Sequence, residues 1–397
     1  MGCSTSRSTD PSRPDPGAVQ MAAALAKLAE APPIEWPPPG TPADTAEAIR
    51  AEIARVRQLP PAELAKLGTK YTDPEALWEA LGALNGKAAH ILRATWVKTQ
   101  RGGRLPKRGD KLPPEALITV KELREIHSKS KAKKALPAIT LSHYWRTKEH
   151  PDPDGVTLEL VIDALEAHWA DFEKKGVTDL GILIDWCGLY QAPRTEEQTP
   201  IFAEALKAIN QWYAHQGTTV WCVTGGVDSA VGLGYHDKGW PSFEYRLAMM
   251  IKVSNDSFHS DWPQVLDLGK KNLFDAQWKN LTRAAPAEPL AFFGGHEYGE
   301  KKYTNGADRD KIVAPKFRET TFELLGGVTE LNFNKLNWGD DGVVQLAVVL
   351  PLCAKLTKLQ LQVNQVGDRG AAALGGAIKG NGALKELHLY ENKIGDA

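Results

Sequence analysis

Three short segments hold the residue types from which chemistry could be built. They are Leu141-Ser142-His143-Tyr144-Trp145, the run from Gly181 to Gln191 that contains Asp185, and the run from Gly239 to Glu244. The first two are apolar and rich in β-formers, and they stop at polar and aromatic side chains. The third opens a helix, with Pro241 at an early position and the Glu244 carboxylate one turn in. Where strands and helices alternate, the strand ends and the helix starts that follow them form the ligand cleft. A hydroxyl, an imidazole, aromatic faces and a carboxylate would meet there.

The elements that must position these groups are legible from residue 138 onward. AITLSHYW reads as a strand. In VTLELVIDALEAHWADFEKKG, apolar residues at 158, 161, 162, 165 and 169 mark an amphipathic helix ended by Gly176. LGILIDWC is a buried strand, IFAEALKAINQWYAHQG a second glycine-stopped helix, TTVWCVTG a third strand, and WPSFEYRLAMMIKV a third helix. Short helices between near-continuous apolar strands predict a parallel sheet covered on both faces. Within 254–315, WPQVLDL and PLAFFGG are candidate strands. Upstream, 44–58 and 73–94 are expected to be helical, with Asp73 as N-cap and Pro74 in the first turn. The basic stretches 98–111 and 129–134 read as solvated linkers, or as a surface attracted to an anionic membrane leaflet.

At 397 residues the chain is too long for one ordinary core. With 48 basic and 49 acidic residues, nothing in the overall charge points to nucleic acid. Cys3, Cys187, Cys222 and Cys353 are widely spaced, His143 and His150 have no partners at ligand spacing, and no metal site is expected. The chain begins MGCSTS. Loss of Met1 would expose Gly2 for myristoylation, with Ser6 where that pattern wants a hydroxyl and Cys3 placed for palmitoylation. Two acyl chains anchor stably where one does not. The expected location is therefore the cytoplasmic face of a membrane.

The C-terminal part repeats. Val328-x-x-Leu331-x-Phe333, Leu356-x-x-Leu359-x-Leu361 and Leu384-x-x-Leu387-x-Leu389 recur every 28 residues, with Asn364 and Asn392 at a fixed offset and Leu336 in place of the first asparagine. Gly339, Gly367 and Gly395 recur in step, each followed by an aspartate. This pattern resembles leucine-rich repeats of the ribonuclease-inhibitor type, with a strand and a helix per unit. It implies a protein partner on the concave face. Ala397 falls just after a strand and turn, so further repeats are expected in a longer parent chain.

Residues 138–255 resemble the Toll/interleukin-1 receptor (TIR) superfamily, including its fungal heterokaryon-incompatibility (HET) branch. The likeness rests on LSHYW at the first strand end, on Gly181-Ile182 before Asp185, on Asp185 followed six residues later by Gln191, and on Trp240 with Glu244 at W-x-x-x-E spacing. Pro241 stands where the family's W-C-x-x-E has cysteine. The resemblance implies an α/β fold and self-association. In the NAD-cleaving members it also implies catalysis by the glutamate, here Glu244. Scission of the nicotinamide–ribose bond builds positive charge on the sugar, which a carboxylate stabilises, and a nearby helix N-terminus favours the ionised form. Ser142, His143, Tyr144, Trp145 and Trp240 would then bind NAD, as substrate and not as a required cofactor, with the aromatic rings stacking on its bases.

Thr224 to Ser229 (TGGVDS) resembles the phosphate loop of ATP pyrophosphatases, which gives a third reading. The chain thus divides into an acylated tail (1–40), a helical segment with a basic linker (41–135), a TIR/HET-like α/β domain (136–310) and leucine-rich repeats (311–397). The leading expectation is a lipid-anchored signalling adaptor. An NAD glycohydrolase and an ATP-using enzyme are the alternatives.

Overall fold

The computed structural model describes residues 43–225, 227–228, 233–253, 261–269, 283–286, 301–303, 305–379 and 381–395. Gly2, Cys3 and the proposed strand at PLAFFGG lie outside them.

The central sheet has five strands: β1 (Leu92–Arg93), β2 (Ala138–His143), β3 (Gly181–Leu183), β4 (Thr219–Val223) and, after a small antiparallel pair β5 (Val227–Asp228) and β6 (Leu233–Gly234), β7 (Val265–Asp267). Their order is β1-β3-β2-β4-β7. β2, β3, β4 and β7 run parallel, and β1 pairs antiparallel with β3 through Leu92↔Ile182. The sheet is therefore mixed, where a parallel one was expected. Its antiparallel edge comes from a segment expected to be helical. The helix Pro74–Leu81 does start with Asp73 accepting from the Glu75 amide. It stops at Gly82, and Leu84, Asn85 and Gly86 take left-handed backbone conformations that turn the chain back toward the sheet.

Period-2 alternation sends successive side chains to opposite faces. Ala138, Val220, Cys222 and Leu183 enter one core, shared with helices Gln198–Ala214 and Gly239–Met249. Ile139, Leu141, Ile182, Trp221, Val223 and Leu266 enter the other, against helix Val156–Lys174. Gly176, at φ 75°, ends that last helix as its sequence predicts. The four parallel strands have the order second-first-third-fourth, so the direction in which strands are added across the sheet reverses between β2 and β4. That switch point is where open α/β sheets place their ligand crevice.

Helix Ala314–Gly327 ties the remaining parts to this block. Asn210 donates to Thr320 Oγ1 (2.8 Å) and to the Tyr71 hydroxyl (2.9 Å), while Lys70 pairs with Glu323. Gly327 lets the backbones touch, because a Cβ there would lie 2.2 Å from the Leu67 carbonyl oxygen. The Lys355 ammonium caps helix Pro61–Lys66 through the carbonyls of Leu64 (3.0 Å) and Ala65 (3.2 Å).

The 28-residue repeat folds as three parallel strands, β8 (Glu330–Asn332), β9 (Lys358–Gln360) and β10 (Glu386–His388). Helices Gly339–Val349 and Asp368–Ile378 connect them. Asn364 Oδ1 accepts from the Leu336 amide (3.0 Å) and its Nδ2 donates to the Phe333 carbonyl (2.6 Å). Asn392 does the same one unit later, accepting from Asn364 (3.0 Å) and donating to Leu361 (3.0 Å). The recurrent aspartates work alike: Asp340 accepts from the Gly367 amide and Asp368 from the Gly395 amide. Each repeat-specific polar residue thus bonds backbone of a neighbouring unit, and around Asn364 that backbone would otherwise be buried without a partner.

Candidate functional site

Alternation at the end of β2 divides the residues expected to form one binding wall. Ser142 points into the core beneath helix Gly239–Met249. Its hydroxyl donates to Glu244 Oε2 at 2.6 Å and lies 2.5 Å from the Tyr235 hydroxyl. His143 points to the opposite face, where its Nε2 lies 3.0 Å from Asp185 Oδ1. Tyr144 is buried and donates to the Gly225 carbonyl (3.3 Å) across the switch point. The Trp145 indole donates to Asp185 Oδ2 (3.2 Å) and packs edge-on against Trp186. Two separate constellations result.

The inner one centres on Glu244, which is 5 % exposed. Burial, reinforced by the negative charge of Asp185, pushes its carboxyl well above the usual carboxylate range against the opposing hydrogen bonds of Ser142 and Tyr213. The expected helix-dipole stabilisation of an ionised Glu244 is therefore overridden. An exposed carboxylate would feel the dipole; a desolvated one pays several kcal/mol for its charge, roughly, before any dipole term of about 1 kcal/mol. The surrounding Tyr213, Tyr235 and Cys222 are likewise driven toward their neutral forms by burial. Trp240 is not part of this cluster. Its indole donates to Asp308 Oδ2 at 3.1 Å and packs edge-on against Phe243. Trp240 and Glu244, expected on one binding wall, thus have separate partners.

The outer constellation is half-open, and its carboxyl favours the ionised form. Burial alone would raise Asp185, but hydrogen bonds from His143, Trp145 and the Trp186 amide outweigh it and hold the carboxyl below its usual range. Its side chain keeps 27 % of its exposure, against 2 % for His143. Gln191 supports it from below by donating to the Asp185 and Leu189 carbonyls at 3.0 and 2.9 Å. The Asp-to-Gln spacing read in the sequence therefore fixes the one-turn helix Asp185–Gly188 that aims the carboxylate. His150 and Lys107 approach the Trp186 ring from outside, at 4.9 and 5.2 Å.

Tyr213 and Tyr235 were not singled out in the sequence. Tyr213 lies in a helix whose apolar spacing marks it only as core, and Tyr235 follows the glycine-rich loop with no motif around it. In the TGGVDS segment, Gly226 and Ser229 lie outside the described residues. Gly225 packs directly on Gly269, with a Cβ there falling 2.3 Å from the Gly269 carbonyl oxygen, and Thr224 donates to Asp267 at 2.5 Å.

Two basic stretches read as linkers are built into the fold. Arg108 is buried and donates to the carbonyls of Lys87, Ala88 and Gly188. In 129–134 the backbone folds round one carboxylate: Asp261 Oδ2 accepts from the amides of Lys133 (2.8 Å), Lys134 (2.8 Å) and Ala135 (3.0 Å), and Lys175 pairs with Oδ1.

Among the described residues no group of three or more His, Cys, Asp or Glu is placed to hold a metal, and no helix is long and apolar enough to cross a membrane. A cleft of about 340 Å³ opens away from both constellations, where Arg93 is paired with Glu122 and Asp179. Comparison with protein-family models, with curated proteins and with solved structures finds no match to this chain.

Proposed function

We propose that this chain is a signalling adaptor that works by association and not by turnover. Its TIR/HET-like α/β unit would self-associate. Its repeats would begin a leucine-rich solenoid that binds a protein partner, and acyl chains on Gly2 and Cys3 would hold it at the cytoplasmic face of a membrane. The observation that carries the choice is the state of Glu244: a buried acid, favoured as neutral and committed to internal hydroxyls, is suited to locking the helix onto β2. An NAD-cleaving glutamate must instead present charge to a ribose.

A second reading has an observation in its favour. Asp185 is ionised, part-exposed and set at the C-terminal end of a parallel strand beside two indoles, so NAD binding or cleavage would use the outer constellation and open Glu244 only on ligand entry. The ATP reading has less support, because Gly225 already has a packing partner in Gly269.

Sedimentation velocity across a concentration series tests the adaptor reading. Reversible self-association that persists in Glu244→Gln is expected. A chain that stays monomeric at high concentration, free and on vesicles, would contradict it.

A further inference from the structure

The segment after β1 folds into a pocket of about 280 Å³, separate from both constellations. Val97 and Leu158, both buried, form its floor, and Trp96 and Leu112 form its walls. Arg104 and Lys111 stand exposed at its rim, and no acidic residue lines it.

The pocket is preformed. Gly155, at φ 72°, lets the Gly103 backbone press against the start of helix Val156–Lys174, where a Cβ would come within 2.1 Å of the Gly103 carbonyl oxygen. Arg101 clamps the same loop to that helix through Glu159 (2.5 Å), Asp163 (2.9 Å) and Glu166 (3.1 Å). Arg101 is thus spent on structure. Arg104 and Lys111 have no ion-pair partner among the described residues.

An apolar floor under two unpaired cations selects a ligand with an apolar body and an anionic head. The volume falls just below the range of small-molecule sites, roughly 300–1,000 Å³, which suits one alkyl chain and not a two-chain lipid. We propose that this pocket binds a single-chain alkyl carboxylate, with the chain between Trp96 and Leu112 and the carboxylate between Arg104 and Lys111.

The test uses Gly2→Ala protein, so that no acyl chain of its own competes. Isothermal titration with decanoate should give one saturable site per chain, and acetate none. The double variant Arg104→Glu, Lys111→Glu changes only exposed side chains. It should keep its melting temperature and lose about tenfold in affinity. Leu112→Glu, which puts a charge against the alkyl chain, should abolish binding. Absence of saturable decanoate binding, or equal affinity in the rim variant, would overturn the proposal. Co-sedimentation with anionic vesicles, lost on rim charge reversal but without decanoate binding, would overturn it too and leave a surface electrostatic contact in its place.

Discussion

Replacing Glu244 by glutamine tests the inner constellation with a change of one atom. The amide keeps the shape of a neutral carboxyl and can still pair with Ser142 and Tyr213. An acid whose native pKa is raised above its unfolded value near 4.5 contributes fully below that value, where both states hold the proton. Above it the unfolded chain releases the proton and the native state does not. Stability then falls by about 1.4 kcal/mol per pH unit for as long as native Glu244 stays protonated. Glutamine has no such proton and no such slope. Urea unfolding at pH 5, 6 and 7, followed by far-ultraviolet circular dichroism, should show the variant within about 1 kcal/mol of wild type at pH 5. Between pH 5 and 7 the difference should move in the variant's favour, by at most about 2.7 kcal/mol, the value reached when native Glu244 keeps its proton throughout. Other titrating groups are common to both proteins and cancel. A difference that stays flat with pH, or a variant several kcal/mol weaker throughout, would show an ionised Glu244 and refute the reasoning.

Three further outcomes follow from other parts of the fold. Burial pulls the His215 imidazole down to about 4; below 6.5 the unfolded chain gains a proton that the native state refuses, so about 3 kcal/mol should be lost between pH 6.5 and 4. An NMR titration of His215 with a midpoint near 6.5 would contradict this. Gly327→Ala, which on an exposed helix would gain stability, should instead cost about 1–3 kcal/mol, because its Cβ meets the Leu67 carbonyl oxygen at 2.2 Å; an unchanged or raised melting temperature would show that the contact relaxes. Asn364→Ala strips partners from the Leu336 amide and the Phe333 carbonyl, both in a buried turn, and should cost roughly 2–4 kcal/mol in chemical denaturation, against little for the exposed Lys335→Ala.

The parts of this fold that were legible in the sequence are those fixed by local periodicity. Apolar runs at 138–143, 181–183 and 219–223 became strands, WPQVLDL supplied β7, and Gly176 stopped its helix, whereas helix Gln198–Ala214 ends at His215, before the expected stop at Gly217. The 28-residue spacing gave the strand register Glu330↔Lys358↔Glu386. What stayed hidden depends on distant partners. The edge strand Leu92–Arg93 is two residues long and depends on distant partners, β3 on one side and a bridge to Leu117 on the other. Arg108 looked solvated because nothing local reveals that three carbonyls wait for it. The separation of Ser142 from His143 follows from the two-residue period of a strand, yet a motif read as a string of letters conceals it. The closing of Glu244 needs Tyr213 and Tyr235, one 31 residues before it and the other nine. No spacing rule joins them.

The most direct test of the central claim is nicotinamide release from NAD by the purified protein, concentrated on liposomes and compared with Glu244→Gln. An adaptor in which Glu244 is a structural acid releases none above the no-protein background in either form. Release by wild type that collapses in Glu244→Gln, with the variant's fold intact, would contradict the account and make the buried acid catalytic.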